Sequence, residues 1–478
     1  MESALFGAIL HRKEQSRRRE FYELDRCERW IKTHQLKRVA LQFPDELLVD
    51  SAKVAEYLKD ATLADVFILG DTSYGSCCVD EVAAQHYSSD SIIHYGRSCL
   101  SPTDRLPVLF VFGKGSINVQ DCIQKIASLF ADTKPKLILM YDVIFYHAAE
   151  NILAGLHEKF ADVICSKLQI PADYGKNSTK EHSEKDGDNV DTLETICRCR
   201  RKVDIPKESQ LEQYAVLYIG KESLTLTNLL MNFNRCQFYT YDPEDRTVRK
   251  ETVNVNKALM KRYYMIERAK DARIVGIVVG TLGVTDYLQA LNRMKELLKK
   301  AGKKTYTFVV GKLNVAKLAN FMEVDVFVLL ACTESTLIDS SEFYKPVVTP
   351  MEMEVACNTN REWTGEYYTD FRQLLPGGSD HVEIPAEISQ EDRYDVSLIT
   401  GNLRHLGEAE NEENTSSAVL PREEALHVAV SNTAADFLSG RQWKGLERKL
   451  GETPVSKAVI GQSGIAASYE NETPHYSS

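Results

Sequence analysis

Cysteine pairs at the two-residue spacing of zinc ribbons and redox motifs are missing from this chain. So is any apolar run of the roughly 18 residues that a bilayer span requires. The best candidate, Ile274 to Val284, is short and interrupted by glycines. Basic charge is also scarce: 58 Lys and Arg face 69 Asp and Glu, for a net charge of −11. That balance excludes the broad basic footprint of a phosphate-binding surface, so no direct nucleic-acid contact is expected. No secretory leader is legible either, because the apolar stretch Ala4 to Leu10 precedes the charged run His11 to Glu20, the reverse of a leader's order. The expected location is the cytoplasm, with no membrane role. Finally, 11 cysteines, an odd number spread over a long chain, make a disulfide framework a poor account and predict reduced thiols.

What is present is an α/β cadence. At 478 residues the chain should fold as two to four domains. A helix from Glu20 to His34 leads into a strand over Arg38 to Phe43, a helix to about Tyr57, and strands at Ala64 to Leu69 and Ser91 to Tyr95. The cadence returns with Pro107 to Phe112, a helix over Val119 to Phe130, and strands at Lys136 to Tyr141 and Ala215 to Gly220. It returns again with strands at Ala272 to Val279, Thr305 to Val310 and Val326 to Leu330, alternating with helices. Apolar β-branched runs of this kind suit strands covered on both faces. The expected fold is α/β, with three similar domains of small parallel sheets. The boundaries read as 1–105, 106–262 and 263–405, with a flexible insertion near 175–194. A largely flexible tail follows over 406–478, with one docked helix at 434–450.

Three cysteines stand after strands: Cys77 within Gly70 to Asp80, Cys99 after Ser91 to Tyr95, and Cys332 after Val326 to Leu330. Open α/β sheets place their ligands at the carboxyl ends of such strands. Soft thiolates converging there from distant segments suit an iron–sulfur cluster, and three would leave one iron of a cubane open to water, substrate or cofactor. Zinc is another reading of the same thiolates, and plain buried hydrophobes a third. Other motifs are weaker. Gly113-Lys114-Gly115-Ser116 and Gly220-Lys221-Glu222-Ser223 lack the full phosphate-loop spacing and read as turns, and Cys197-Arg198-Cys199 reads as incidental. Gly280-Thr281-Leu282-Gly283 is a strand-to-helix turn able to approach a ligand, while His94 and His147, without a paired histidine, read as structural.

The segments Val39 to Leu47, Gly70 to Val82 and His94-Tyr95-Gly96-Arg97-Ser98-Cys99 closely resemble the diphthamide biosynthesis enzyme family. Of its two eukaryotic branches, the second is the closer likeness, because Ala331-Cys332-Thr333-Glu334-Ser335 stands where the first would carry Cys-Pro. The resemblance implies three similar domains arranged around a central iron–sulfur site, a [4Fe–4S] cluster that, once reduced, cleaves S-adenosylmethionine to a 3-amino-3-carboxypropyl radical. This adds to a histidine of translation elongation factor 2. Carried over, Cys77, Cys99 and Cys332 are the ligand positions and Cys78 a neighbour. The middle-domain cysteines, Cys122, Cys165, Cys197, Cys199 and Cys236, match no ligand motif.

The resemblance therefore implies an accessory subunit of a heterodimer. The paralogous first subunit would supply the S-adenosylmethionine chemistry, and this chain's cluster would help reduce its partner's. A small iron-binding electron donor and a flavin reductase are the further partners implied. Two alternatives stand beside this one: a subunit itself catalytic, with S-adenosylmethionine at its own cluster, and a scaffold that needs no cluster.

Overall fold

A computed structural model describes residues 16–70, 75–130, 135–171, 193–338, 340–386, 394–401 and 403–405. Helix α1 (Leu24–Thr33) buries Cys27, Trp30 and Ile31 on one face. The longer helix expected from Glu20 is interrupted where Glu23 takes a left-handed backbone, φ 46°. There follow β1 (Arg38–Gln42), α2 (Leu48–Thr62), β2 (Asp65–Ile68), α3 (Glu81–His86), β3 (Ser91–Tyr95) and β4 (Val108–Val111). These strands form one parallel sheet in the order β2-β1-β3-β4. The strand at Val108–Val111, expected to open the second domain, instead completes the first sheet, so the boundary at 105 falls too early.

The middle domain carries α4 (Val119–Leu129), β5 (Lys136–Tyr141), α5 (Ala149–His157), β6 (Val163–Cys165), β7 (Lys167–Leu168), β8 (Leu193–Arg198), β9 (Arg201–Pro206), β10 (Tyr214–Ile219), α6 (Leu224–Asn232), β11 (Gln237–Asp242) and β12 (Thr247–Lys250). Its main sheet runs β12-β11-β10-β5-β6, and only β12 is antiparallel. A separate antiparallel sheet, β7-β9-β8, follows from strands on either side of the expected insertion, most of which lies outside the described residues.

In the third domain are α7 (Thr252–Asp271), β13 (Ile274–Val279), α8 (Tyr287–Lys300), β14 (Lys304–Val309), α9 (Val315–Ala319), β15 (Val326–Leu330), β16 (Val347–Val348) and α10 (Pro350–Cys357). The sheet is parallel, ordered β14-β13-β15-β16. Helix α7, which a boundary at 262 would divide, packs against α10 and belongs here as a whole. Two short strands, β17 (Tyr394–Val396) and β18 (Leu403–His405), pair antiparallel beyond it. The tail over 406–478, with the helix expected at 434–450, lies outside the described residues.

All three parallel sheets share one plan. Counted within each sheet, leaving out the antiparallel β12, the strands lie in the order second, first, third, fourth: β2-β1-β3-β4, β6-β5-β10-β11 and β14-β13-β15-β16. The central strands are buried along their whole length, as β3, β10, β13 and β15 show, which accounts for their largely apolar sequence. No helix among the described residues is long and apolar enough to cross a membrane.

Helix α10 is buried at every position, including Glu352 and Glu354. Arg262 donates to Glu352 with Nη2 at 2.6 Å, and Arg293 to Glu354 with Nε at 2.5 Å. Buried carboxylates require such charged, hydrogen-bonded partners.

Candidate metal centre

Each sheet delivers its loops from the carboxyl ends of its strands. Gln42, the last residue of β1, is buried and ties down the loop after β2: its Nε2 donates to the Cys78 carbonyl at 2.7 Å, and its Oε1 accepts from the Asp80 amide at 2.9 Å. Asp80 in turn caps α3 by accepting from the Ala83 amide at 2.9 Å. His94, near the end of β3, lies 3.2 Å from the Ser76 carbonyl through Nε2. Burial pushes its imidazole down to about 4, so the ring is neutral and Nε2–H is the donor to that carbonyl. The Cys99 amide donates to the Cys77 carbonyl at 3.0 Å, which fastens the second cysteine loop to the first.

The third domain closes on this pair of loops. Thr285 donates to the Pro102 carbonyl from both its amide, at 3.3 Å, and its hydroxyl, at 2.8 Å. Gly283 passes so near the first domain that a Cβ there would stand 2.6 Å from the Val79 carbonyl oxygen. The strand-to-helix turn at Gly280 to Gly283 therefore does approach the site, with its backbone. After β15, Cys332 is followed by Ser335, whose hydroxyl lies 3.3 Å from Cys332 Sγ and 3.9 Å from Cys77 Sγ.

The result is a group of four buried sulfurs. Those of Cys77, Cys78, Cys99 and Cys332 all lie within 4.8 Å of one another. Cys77 and Cys332 are 3.7 Å apart, and Cys78 and Cys99 are 3.9 Å apart. The three cysteines singled out in the sequence thus meet, and Cys78, read there as a neighbour, joins them. The available signal was the Cys-Cys dipeptide itself, which sits in an irregular turn where adjacent side chains need not point to opposite sides. Hydrogen bonds from Cys77, Cys78 and Cys99 hold the Cys332 thiol well below its usual range. The same bonding to a Cys332 thiolate holds Cys77 and Cys78 well above theirs. The negative charge in the group is thus drawn to Cys332, and the four sulfurs together are a set of soft ligands suited to a cation.

The middle-domain cysteines are elsewhere. Burial pushes the thiols of Cys122, Cys199 and Cys236 up to about 12 and that of Cys165 to about 11, leaving them neutral. Cys199 Sγ faces the Asn228 carbonyl at 3.7 Å, and the exposed Cys197 accepts from Gln169 at 3.3 Å. What this domain brings towards the centre is polar, Thr225 and Arg200 among others, and no motif announced it.

Residues 43–369 match the family described as "Putative diphthamide synthesis protein". The chain is 50% identical to the 2-(3-amino-3-carboxypropyl)histidine synthase subunit 2 of Danio rerio, over 94% of this chain and 91% of that one. It is 41% identical to the subunit 2 of Schizosaccharomyces pombe, covering 95% and 91%. Among solved structures, Dph2 from Pyrococcus horikoshii with a 4Fe-4S cluster superposes with a TM-score of 0.53 and 22% identity, over 77% of this chain and 97% of that one. That likeness establishes a shared fold. On the family match and these near-full-length relatives, the chain belongs to the diphthamide synthesis protein family, on the branch whose members are named subunit 2.

Proposed function

We propose that this chain is the [4Fe–4S]-bearing subunit of a cytoplasmic heterodimer. With its paralogous first subunit, it would transfer a 3-amino-3-carboxypropyl group from S-adenosylmethionine to a histidine of translation elongation factor 2. The observation that carries this reading is the convergence of Cys77, Cys78, Cys99 and Cys332 from two domains. Cys77, Cys99 and Cys332 are the ligands carried over from the family motifs, and the fourth corner falls to Cys78. A [4Fe–4S] cluster supplies one-electron transfer at a potential set by its ligands and surroundings.

Four thiolates for four irons leave no iron open, which favours an electron-relay role over S-adenosylmethionine binding at this site. The principal chemistry then belongs to the partner subunit, whose cluster this chain helps reduce. A small iron-binding donor and a flavin reductase would feed the pair.

The sulfur spacing also supports a second reading. Thiolates about 2.3 Å from one tetrahedral zinc lie about 3.8 Å apart, close to the 3.7 and 3.9 Å found here. A cubane needs the sulfurs wider apart. The exposed Gly75 and Ser76 beside Cys77 give that loop room to yield. Visible absorption and metal analysis separate the two.

The relay itself is tested on the anaerobic heterodimer by turnover under two electron supplies. With Cys77→Ser and Cys332→Ser together, turnover should fall when electrons arrive only through protein donors and persist with excess chemical reductant. Unaltered turnover in both regimes would refute the relay and leave the scaffold role.

A further inference from the structure

We propose that Thr225, in the middle domain, is a positioning residue for the metal centre: its hydroxyl locks the Cys99 and Cys332 loops together. The inference rests on the cluster reading above. Thr225 lies in the first turn of α6, whose start is fixed by Ser223 accepting from the Leu226 amide at 3.3 Å. Its Oγ1 donates to Glu334 Oε1 at 2.9 Å and accepts from Arg97 Nη2 at 3.1 Å. Arg97 Nη2 also stands 2.7 Å from Glu334 Oε2. Arg97 lies just before Cys99 and Glu334 just after Cys332, so one hydroxyl closes a ring of contacts across three domains.

The chemistry of the ring is specific to a hydroxyl, which donates one bond and accepts another at the same atom. Thr225 and Glu334 are buried, so an oxygen of Glu334 that lost its donor would have no water to replace it. Two further ties run from the same domain. Arg200 Nε donates to the carbonyl of Leu100, beside Cys99, at 2.9 Å, and Asn228 Nδ2 reaches the Glu334 carbonyl at 3.5 Å.

Arg97 is the exposed member of the ring, its side chain 39% exposed against 10% for Glu334. Its guanidinium is carried on the loop of Cys99 and paired with Glu334 on the loop of Cys332. A cation held beside thiolates favours the reduced, more negative cluster, so freeing Arg97 lowers the reduction potential.

The test compares Thr225→Val, which removes the hydroxyl at constant shape, with Thr225→Ser, which keeps it, in the anaerobically purified heterodimer. Iron loss to a chelator and an EPR-monitored redox titration are the readouts. The valine variant should lose iron about fivefold faster, the factor one hydrogen bond is typically worth, and titrate at a more negative potential. The serine variant should match the unaltered chain. If the valine variant does not fold, Thr225→Ala carries the same prediction without a packing demand. Equal behaviour of the valine and unaltered chains, or equal damage by serine and valine, would overturn the inference while leaving the cluster reading intact. Absence of iron from the unaltered chain would overturn both.

Discussion

Replacing Gly283 by alanine places a methyl carbon 2.6 Å from the Val79 carbonyl oxygen, with backbone on both sides of the contact. Carbon and carbonyl oxygen settle no closer than about 3.3 Å, so the two loops must part by roughly 0.7 Å. The nearest ties across this junction are the Thr285 amide and hydroxyl bonds to the Pro102 carbonyl, at 3.3 and 2.8 Å. Parting of that size takes the longer one beyond hydrogen-bonding distance. Overpacking costs about 1–3 kcal/mol and the lost bond about 1 kcal/mol, together roughly 2–4 kcal/mol out of a typical 5–15 kcal/mol stability. Val79 follows Cys78 directly, so the displacement also pulls on the cysteine loop. Chemical denaturation should show a lower midpoint for Gly283→Ala, and chelation should strip its metal faster. Gly70→Ala, with nothing among the described residues within 4 Å of the added methyl, is the control, expected within about 0.5 kcal/mol of the unaltered chain. A Gly283→Ala protein with unaltered midpoint and metal retention would refute the account of how the first and third domains meet.

The remaining expectations concern the loops around the sulfurs. Gln42→Leu leaves the Cys78 carbonyl and the Asp80 amide without their buried partners, at about 1–3 kcal/mol each, and thermal melts should show the loss. His94 is buried neutral with its pKa pushed down to about 4, against about 6.5 when unfolded, so the unfolded chain takes up the proton first. Its contribution is full above pH 6.5 and should fall by about 2 kcal/mol by pH 5; urea titrations at pH 7 and pH 5 on the unaltered chain and His94→Gln would isolate it. Cys197→Ser, at an exposed position whose sulfur accepts from Gln169, should leave metal content unchanged by elemental analysis.

Much of this architecture was legible because buried parallel strands write themselves as unbroken apolar runs. Val326 to Leu330 and Ile274 to Val279 are clear from composition alone, and so are the cysteines that follow strand ends. The first boundary failed because Val108–Val111 looks like any other buried strand. Which sheet it joins is decided by hydrogen bonds to β3 that local sequence does not encode. Cys78, read as a neighbour of Cys77, joins the group because it lies in the turn at 76–78, where the side-chain alternation of a strand does not hold. The polar ring of Arg97, Thr225 and Glu334 joins residues more than a hundred positions apart, each of an ordinary surface type, and only folding brings them together.

Iron, acid-labile sulfide and low-temperature EPR on the anaerobically purified heterodimer, with the partner's cluster ligands removed, test the central claim most directly. The unaltered chain should hold about four irons and four sulfides in a reducible cluster, and Cys77→Ser, Cys78→Ser, Cys99→Ser and Cys332→Ser should each diminish it. A single equivalent of zinc with no EPR signal, or iron content indifferent to all four substitutions, would contradict it.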